Sequence, residues 1–199
     1  MKGPLARFPK KLGGYAVRPL RPGDAAPLAA FFQKIPVDEC RLFKHDVRDA
    51  AVIRGWCKKP DYERVLPLLV WKGRRVVADA SLHRHGPGWS RHVARISLAL
   101  DPAVRGRGLG TALVREFVEL APALNVAILH AQVLDVQKDA RALFQKLDFE
   151  AVATLPRHAI DLSGRVHDVL VYDLVVTPPE SLAPEADLAE DEADIGGSA

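Results

Sequence analysis

Apolar residues along the chain follow two rhythms, one of period two and one of period 3.6, and the switches between them divide the 199 residues into elements. Residues 15–20 alternate like a half-buried strand, and Gly23-Asp24 then supplies a helix cap, through the Asp24 carboxylate, for the stretch 25–33. Short helical segments are predicted over 38–43 and 50–56. Residues 64–71 and 75–83 read as strands joined by a tight turn at Lys72-Gly73, and Gly86-Pro87-Gly88 turns the chain into a third strand over 93–100. The pattern then changes. Leu109, Ala112, Leu113, Phe117 and Leu120 recur at helical spacing, with Arg115, Glu116 and Glu119 facing away, and Pro122 marks the end. The near-continuous apolar run 126–134 has the length of a buried strand, Ala140, Leu143, Phe144 and Leu147 stripe another helix, and strands over 149–155 and 167–175 close the order. A meander followed by alternating strands and helices predicts an α/β (α+β) fold: a mixed, mostly antiparallel central sheet of about seven strands with helices on both faces.

With 48% hydrophobic and 27% charged residues, the composition is that of a folded globular chain. The longest wholly apolar stretch, 65–71, falls far short of the roughly 18 residues of a membrane span, so no membrane partner is expected. Residues 1–11 are basic but lead into no apolar run that would serve as a secretory signal, and a cytoplasmic location is expected. Cys40 and Cys57 show neither metal nor disulfide spacing and are read as reduced thiols without a role. The net charge of +3 hides a split: residues 177–199 hold seven carboxylates and no Lys or Arg, and without them the remainder carries +10. The chain thus divides into a basic N-terminal extension (1–13), a folded domain (14–176) and an acidic, disordered tail (177–199). A basic body suits a polyanionic ligand, either a phosphate-rich cofactor or a nucleic acid.

Between the strand ending at Leu100 and the helix beginning near Leu109 lies Arg105-Gly106-Arg107-Gly108-Leu109-Gly110-Thr111, with three glycines in five residues. Glycine allows close backbone approach, and a helix start offers unpaired N–H groups and a positive dipole end, so such a turn binds phosphate. A Walker loop would need Gly-Lys followed by Ser or Thr, which is absent. A dinucleotide fingerprint needs G-x-G-x-x-G, but the third position falls on Thr111 in one frame and on Leu113 in the other.

What fits is R-x-x-G-x-G, as Arg105, Gly108 and Gly110, which resembles the acetyl-coenzyme A motif of the GNAT superfamily of N-acetyltransferases at the same strand-to-helix junction. The resemblance covers roughly residues 14–176. Leu143-Phe144-Gln145-Lys146-Leu147-Asp148-Phe149 is similar to the family's Leu-Tyr-x-Lys-Leu-Gly-Phe segment, Ala140 matches three positions earlier, and 161–168 is similar to the hairpin before the last strand in many members. It implies that backbone groups of Leu98, Ala99 and Leu100 pair with the pantetheine arm like an added strand and that N–H groups from Arg105 to Thr111 hold the pyrophosphate, with Arg105 and Arg107 adding charge. Gln137, Ala140 and Phe144 are implied to border the cofactor. The implied activity is direct transfer of acetyl from acetyl-CoA, a co-substrate, to a primary amine of a small molecule or protein, without a metal.

Deprotonating an amine of reference pKa about 10.4 calls for a base or a water chain. Where many members place a Glu on the strand before the loop and a Tyr on the later helix, this chain has Arg95 and Phe144, and neither moves a proton at neutral pH. Gln137 stands where Asn is common and Asp148 where a turn Gly is usual. Catalytic residues are therefore unassigned by motif, and the titratable candidates are Asp79 and His83, on one strand face by their spacing, and Asp135 at a strand end, which equally reads as a helix cap. Asp46 and Asp49 lie where members build the acceptor wall and otherwise read as exposed charges. His83, His85 and His92 have no Cys or carboxylate completing a ligand set, and Trp56, Trp71 and Trp89 read as packing residues. Two rival readings stand beside the transferase: a catalytically weak or inactive CoA or acyl-CoA-binding regulator, motivated by Arg95 and Phe144, and a basic module holding nucleic acid, which the acidic tail disfavours. Oligomeric state, a homodimer included, is left open.

Overall fold

The structure, a computed structural model, describes residues 3–182. One sheet organises the domain, with strands β1 (Lys10–Leu12), β2 (Tyr15–Pro19), β3 (Val65–Lys72), β4 (Arg75–Arg84), β5 (Val93–Leu100), β6 (Ile128–Leu134), β7 (Glu150–Ile160) and β8 (Val166–Val175) in the order β1-β2-β3-β4-β5-β6-β8-β7. Every neighbouring pair is antiparallel except β5 and β6. The mixed, mostly antiparallel sheet is as expected, with eight strands instead of about seven. The extra one lies in residues read as an extension: Lys10–Leu12 pairs with β2, Phe8 is buried, and the sheet therefore begins before residue 14.

Alternation along the strands assigns the two faces. Leu66, Leu68, Ala80, Leu82, Ala94, Ile96, Leu129, Ala131 and Tyr172 point to a core shared with α4 (Leu109–Leu120), whose Leu109, Leu113, Phe117 and Leu120 supply the opposing stripe, and with Phe144 of α5 (Lys138–Lys146). A helix of α4's length is marginal alone, and burial of each Leu or Phe, about 1.5–3 kcal/mol, is what fixes it on the sheet. On the other face, α1 (Ala25–Phe32), α2 (Val37–Cys40) and α3 (Ala50–Lys58) enclose a second core of Leu28, Phe31, Phe32, Ile53 and Cys57 against Leu69 and Ala99.

Three local expectations are corrected. Asp24 is not a side-chain cap: its carboxylate is gripped by Arg18 at 2.6 and 2.7 Å and accepts the Arg21 N–H at 2.7 Å. Glu116 does not face solvent but is 2% exposed, because Lys10 on β1 and Arg7 bring counter-charges to it. A buried carboxylate needs such pairing. Trp89 packs on nothing and is 96% exposed, whereas Trp71 lies under the Arg18 guanidinium, 4.4 Å from the ring centre. Of the predicted acidic tail, the part from residue 183 onward lies outside the described residues.

Candidate active site

The parallel pair is short. β5 and β6 are in register only from Val93 opposite Ile128 to Ile96 opposite Ala131. Past that point β5 stays paired with β4 and β6 with β8, but not with each other, so residues 97–100 present one edge to a gap in the sheet. Backbone N–H and C=O groups require partners, and an open edge inside a sheet receives an extended ligand as it would a strand.

The glycine-rich loop lies at the head of this gap. A turn at Pro102–Val104, closed by Asp101 accepting the Ala103 N–H at 2.9 Å, leads into residues 105–108. Gly106 and Gly108 have φ of 69° and 78°, and a Cβ at either would meet nothing within 4 Å. Here glycine is required by the backbone's handedness and also leaves the approach to the loop clear. Gly108 caps α4 without any side-chain bond, so the first-turn N–H groups stay available, with roughly half a positive charge of helix dipole behind them. Gly110 serves packing: a Cβ there would lie 3.4 Å from Leu143 Cδ2, 3.5 Å from Leu98 Cδ2 and 3.8 Å from Leu100 Cδ2. These features fit a pyrophosphate with an extended arm.

Arg105 is placed differently from the added charge that the resemblance implies. Its guanidinium grips the Glu39 carboxylate at 2.9 and 2.7 Å and donates to the Leu100 carbonyl from Nε (3.1 Å) and Nη2 (2.9 Å). It ties the loop to α2 and occupies one of the backbone acceptors at the gap. Arg107 is exposed.

A model of the acetyltransferase (GNAT) family matches residues 30–149, more than half of the chain, and spans the gap, the loop and α5. The chain belongs to the GNAT family of acetyltransferases. YwnH of Bacillus subtilis (strain 168), provisionally named a phosphinothricin acetyltransferase, is 31% identical over 78 residues, which is 39% of this chain and 47% of that protein. The chain thus aligns with about half the length of this curated relative. A GNAT-family acetyltransferase of Streptococcus pneumoniae superposes with a TM-score of 0.69 at 21% identity, over 81% of this chain and 99% of that one. The yncA protein of Salmonella typhimurium, provisionally named an acetyltransferase and solved with acetyl-CoA, gives 0.70 at 19% identity, over 87% and 99%. At these identities the likeness is one of fold.

Several residues singled out in the sequence surround the gap of this GNAT domain. Leu98 and Leu100 line the edge of β5, while Ala99 is buried on the opposite face against the α1–α3 core. Gln137 accepts the Leu134 N–H at 2.9 Å, securing the end of β6 and leaving its NH2 to donate. Ala140 packs on the core, and Phe144 is buried, its ring 5.0 Å from that of Phe149 and 6.4 Å from that of Tyr172. The usual tyrosine position is thus apolar core. Asp148 holds φ at 61°, the left-handed value that a turn glycine would take.

The face turned toward α1–α3 carries the titratable groups. Asp79, Ser81 and His83 alternate along β4 and stand opposite Ala99, Ser97 and Arg95 on β5. His130 of β6 pairs with Arg95, and Asp173 of β8 with His130. His83 Nε2 lies 3.3 Å from Ser97 Oγ, and Ser81 neighbours Asp79 on the same strand face. Burial pushes the Asp79 carboxyl up to about 7, only partly offset by Ser81. Burial, with the fields of Arg95, Lys44 and His45, holds His83 down to about 4, so its ring is neutral at pH 7.

Asp135 instead binds His167, Oδ1 to Nδ1 at 3.1 Å, while His167 Nε2 meets Asp161 at 3.2 Å in the turn of the β7–β8 hairpin. Asp46 and Asp49 are local: one accepts the Arg48 N–H, the other caps α3 through the Ala51 N–H. His85 and His92 line a separate cleft with Arg84, at the opposite end of β5 from the gap. Sequence reading missed Ser81, Ser97 and Lys44. The two serines carried a signal, the polar alternation 79-81-83 and 95-97, whereas Lys44 sits in a loop without periodicity.

Proposed function

We propose that this protein transfers an acetyl group from acetyl-CoA directly to a primary amine. The observation that carries the reading is the parting of β5 from β6 after Ile96 and Ala131, beside a loop that ends on an uncapped helix start. Residues 97–100 hold the pantetheine arm by backbone groups, and the N–H groups of 106–111 hold the pyrophosphate. Bound there, acetyl-CoA supplies an activated acyl carbonyl.

The chain's own part is positioning and proton removal. The amine enters from the α1–α3 face, where Ser97 is the first β5 residue past the last β6 pair. His83, bonded to Ser97, stands with Ser81 and Asp79 in a row of polar side chains on this face, ending on a carboxyl with a pKa near neutrality. A neutral His83 relays a proton through its ring, and Asp79 holds it. Binding without turnover, the regulator reading, leaves this row without a purpose.

The test is acetyl-CoA titration and thiol release over a panel of primary amines, with Gly108→Val and Asp79→Asn alongside. Amine-dependent release that Gly108→Val abolishes at the binding step and Asp79→Asn lowers at unchanged acetyl-CoA affinity is the expected result. Tight binding without release on any amine would favour the regulator, and absence of binding would refute both.

A further inference from the structure

We propose that the amine acceptor is a small molecule that also carries an oxyanion, a carboxylate or phosphorus oxyacid, and that Arg95 and Lys44 hold that group on the α1–α3 face. The inference rests on the transferase reading above, and concerns what its acceptor site selects.

Arg95 projects from β5 one alternation before Ser97, on the face where the amine enters. Its guanidinium is half-buried, and among the described residues no carboxylate lies within ion-pair distance of it. The nearest acid along that row of the sheet, Asp173, is committed to His130 at 2.7 Å. Lys44 reaches down from the loop between α2 and α3 and donates to Gln132 Oε1 at 2.7 Å, the first β6 residue beyond the last β5 pair. Arg95 on β5 and Lys44, bonded to Gln132 of β6, thus flank the mouth of the gap. Arg95 sits below its ordinary pKa through burial, and Lys44, whose side chain stays exposed at the surface, sits below its own through partial desolvation and then the charge of Arg95. A half-buried Arg95 beside a second cation and without a counter-charge is costly to keep, and a bound oxyanion relieves its desolvation and the repulsion. Arg95 offers the planar fork that suits a carboxylate or phosphonate, and Lys44 a point charge.

Enclosure favours a small molecule over a polypeptide. The loop carrying Lys44 is fastened at both sides of the face, by the Lys44 bond to Gln132 and by the Leu162 N–H of the β7–β8 hairpin donating to the Arg41 carbonyl at 3.0 Å. A chain passing across Arg95 would have to displace these ties.

Matched amines with and without the anion, 4-aminobutanoate against butylamine and 2-aminoethylphosphonate against ethylamine, are titrated calorimetrically into the full chain without acetyl-CoA and then compared by thiol release. At least about tenfold tighter binding of the anionic member is expected. Arg95→Gln and Lys44→Gln should each erase most of that ratio, Arg95→Lys should retain part of it, and Arg95→Glu should reverse it, while acetyl-CoA affinity stays unchanged in all four. Equal binding of the matched amines, an unchanged ratio in Arg95→Gln, or a preference for peptides with free N-termini would overturn the proposal. If every amine turns over alike, the anion site falls and the transferase stands. If the ratio appears but no amine releases thiol, the anion site stands and the transferase reading fails.

Discussion

Glu39→Gln separates two accounts of the loop, because they predict opposite signs. If the charge of Arg105 acts on the pyrophosphate, removing a nearby carboxylate frees the guanidinium and raises the local positive potential, and acetyl-CoA should bind more tightly. The structure has Arg105 anchoring the loop instead, between Glu39 on α2 and the Leu100 carbonyl. The pair is 36% and 41% exposed on its two side chains, which places it near the surface value of about 0.2–1 kcal/mol. Charge-assisted bonds to the Leu100 carbonyl contribute about 1.5 kcal/mol, the low end of their range, since water can replace them. Arg105→Ala should therefore cost on the order of 2 kcal/mol and lower Tm by roughly 4–8 °C for a chain of this size. Glu39→Gln should cost no more than about 1 kcal/mol and weaken acetyl-CoA by up to about fivefold, because the loop must then be ordered by the ligand. Thermal unfolding and calorimetric titration at two salt concentrations measure both. Tighter binding in Glu39→Gln, most pronounced at low salt, would refute the anchoring role.

Gly108→Ala should destabilise by about 1–2 kcal/mol through its φ of 78°, whereas Gly110→Ala, with its Cβ in contact at 3.4 Å and a helix-propensity gain, should stay within about 1 kcal/mol of the parent in urea unfolding. Asp79 is raised by burial from 3.8 to about 7, so its ionised form is disfavoured in the fold; the resulting loss of stability sets in above pH 4 and is complete above pH 7. Asp79→Asn should accordingly stabilise the protein by about 1–3 kcal/mol at pH 8, after discounting for residual exposure, with little effect at pH 4, and lower turnover; an unstabilised variant at pH 8 would show that Asp79 is not desolvated. His167 is raised by its bonds to Asp161 and Asp135, so its contribution is fully present below its unfolded value of about 6.5 and fades as pH rises through its folded value. Asp161, held well below the carboxylate range first by Ser163, loses its contribution only in strong acid. Amide-exchange protection at residues 161–167, taken relative to intrinsic exchange at each pH, should thus be greatest in mildly acidic solution, and His167→Gln should remove its fall toward higher pH.

The elements were legible where one period dominated. Val93–Leu100 and Leu109–Leu120 fall where the sequence predicts them, since alternation and the 3.6 stripe are undiluted there. Lys10–Leu12 was not legible: three residues with two lysines carry no strand pattern, and they pair because Tyr15–Pro19 offers an edge and Glu116 an acid for Lys10. The same long-range pairing explains why Glu116, polar on a helix, is buried. Loop chemistry was readable because Gly106 and Gly108 are demanded by the local backbone, a one-dimensional property. The polar face turned toward α1–α3 was not, because it is made by register: only the pairing of Ser81 with Ser97 and of His83 with Arg95 turns scattered polar residues into a row.

That row also recasts Arg95. On sequence alone, an arginine where many family members carry a glutamate reads as the loss of a base. In the fold it stands beside Lys44, and the positive field of the two disfavours the protonated form of any amine brought into it. Each unit of depression in the amine's pKa removes about 1.4 kcal/mol from the work of deprotonation. The same field repels an ammonium from entering, so it serves catalysis only if the acceptor brings an anion to offset it. A base of pKa near neutrality, Asp79, then faces an amine already shifted toward it, and the substitution that weakens one route to proton removal supports another. On this argument the base and the anion site are coupled: Arg95→Gln should move the acid limb of the turnover profile little but shift its amine-dependent limb to higher pH.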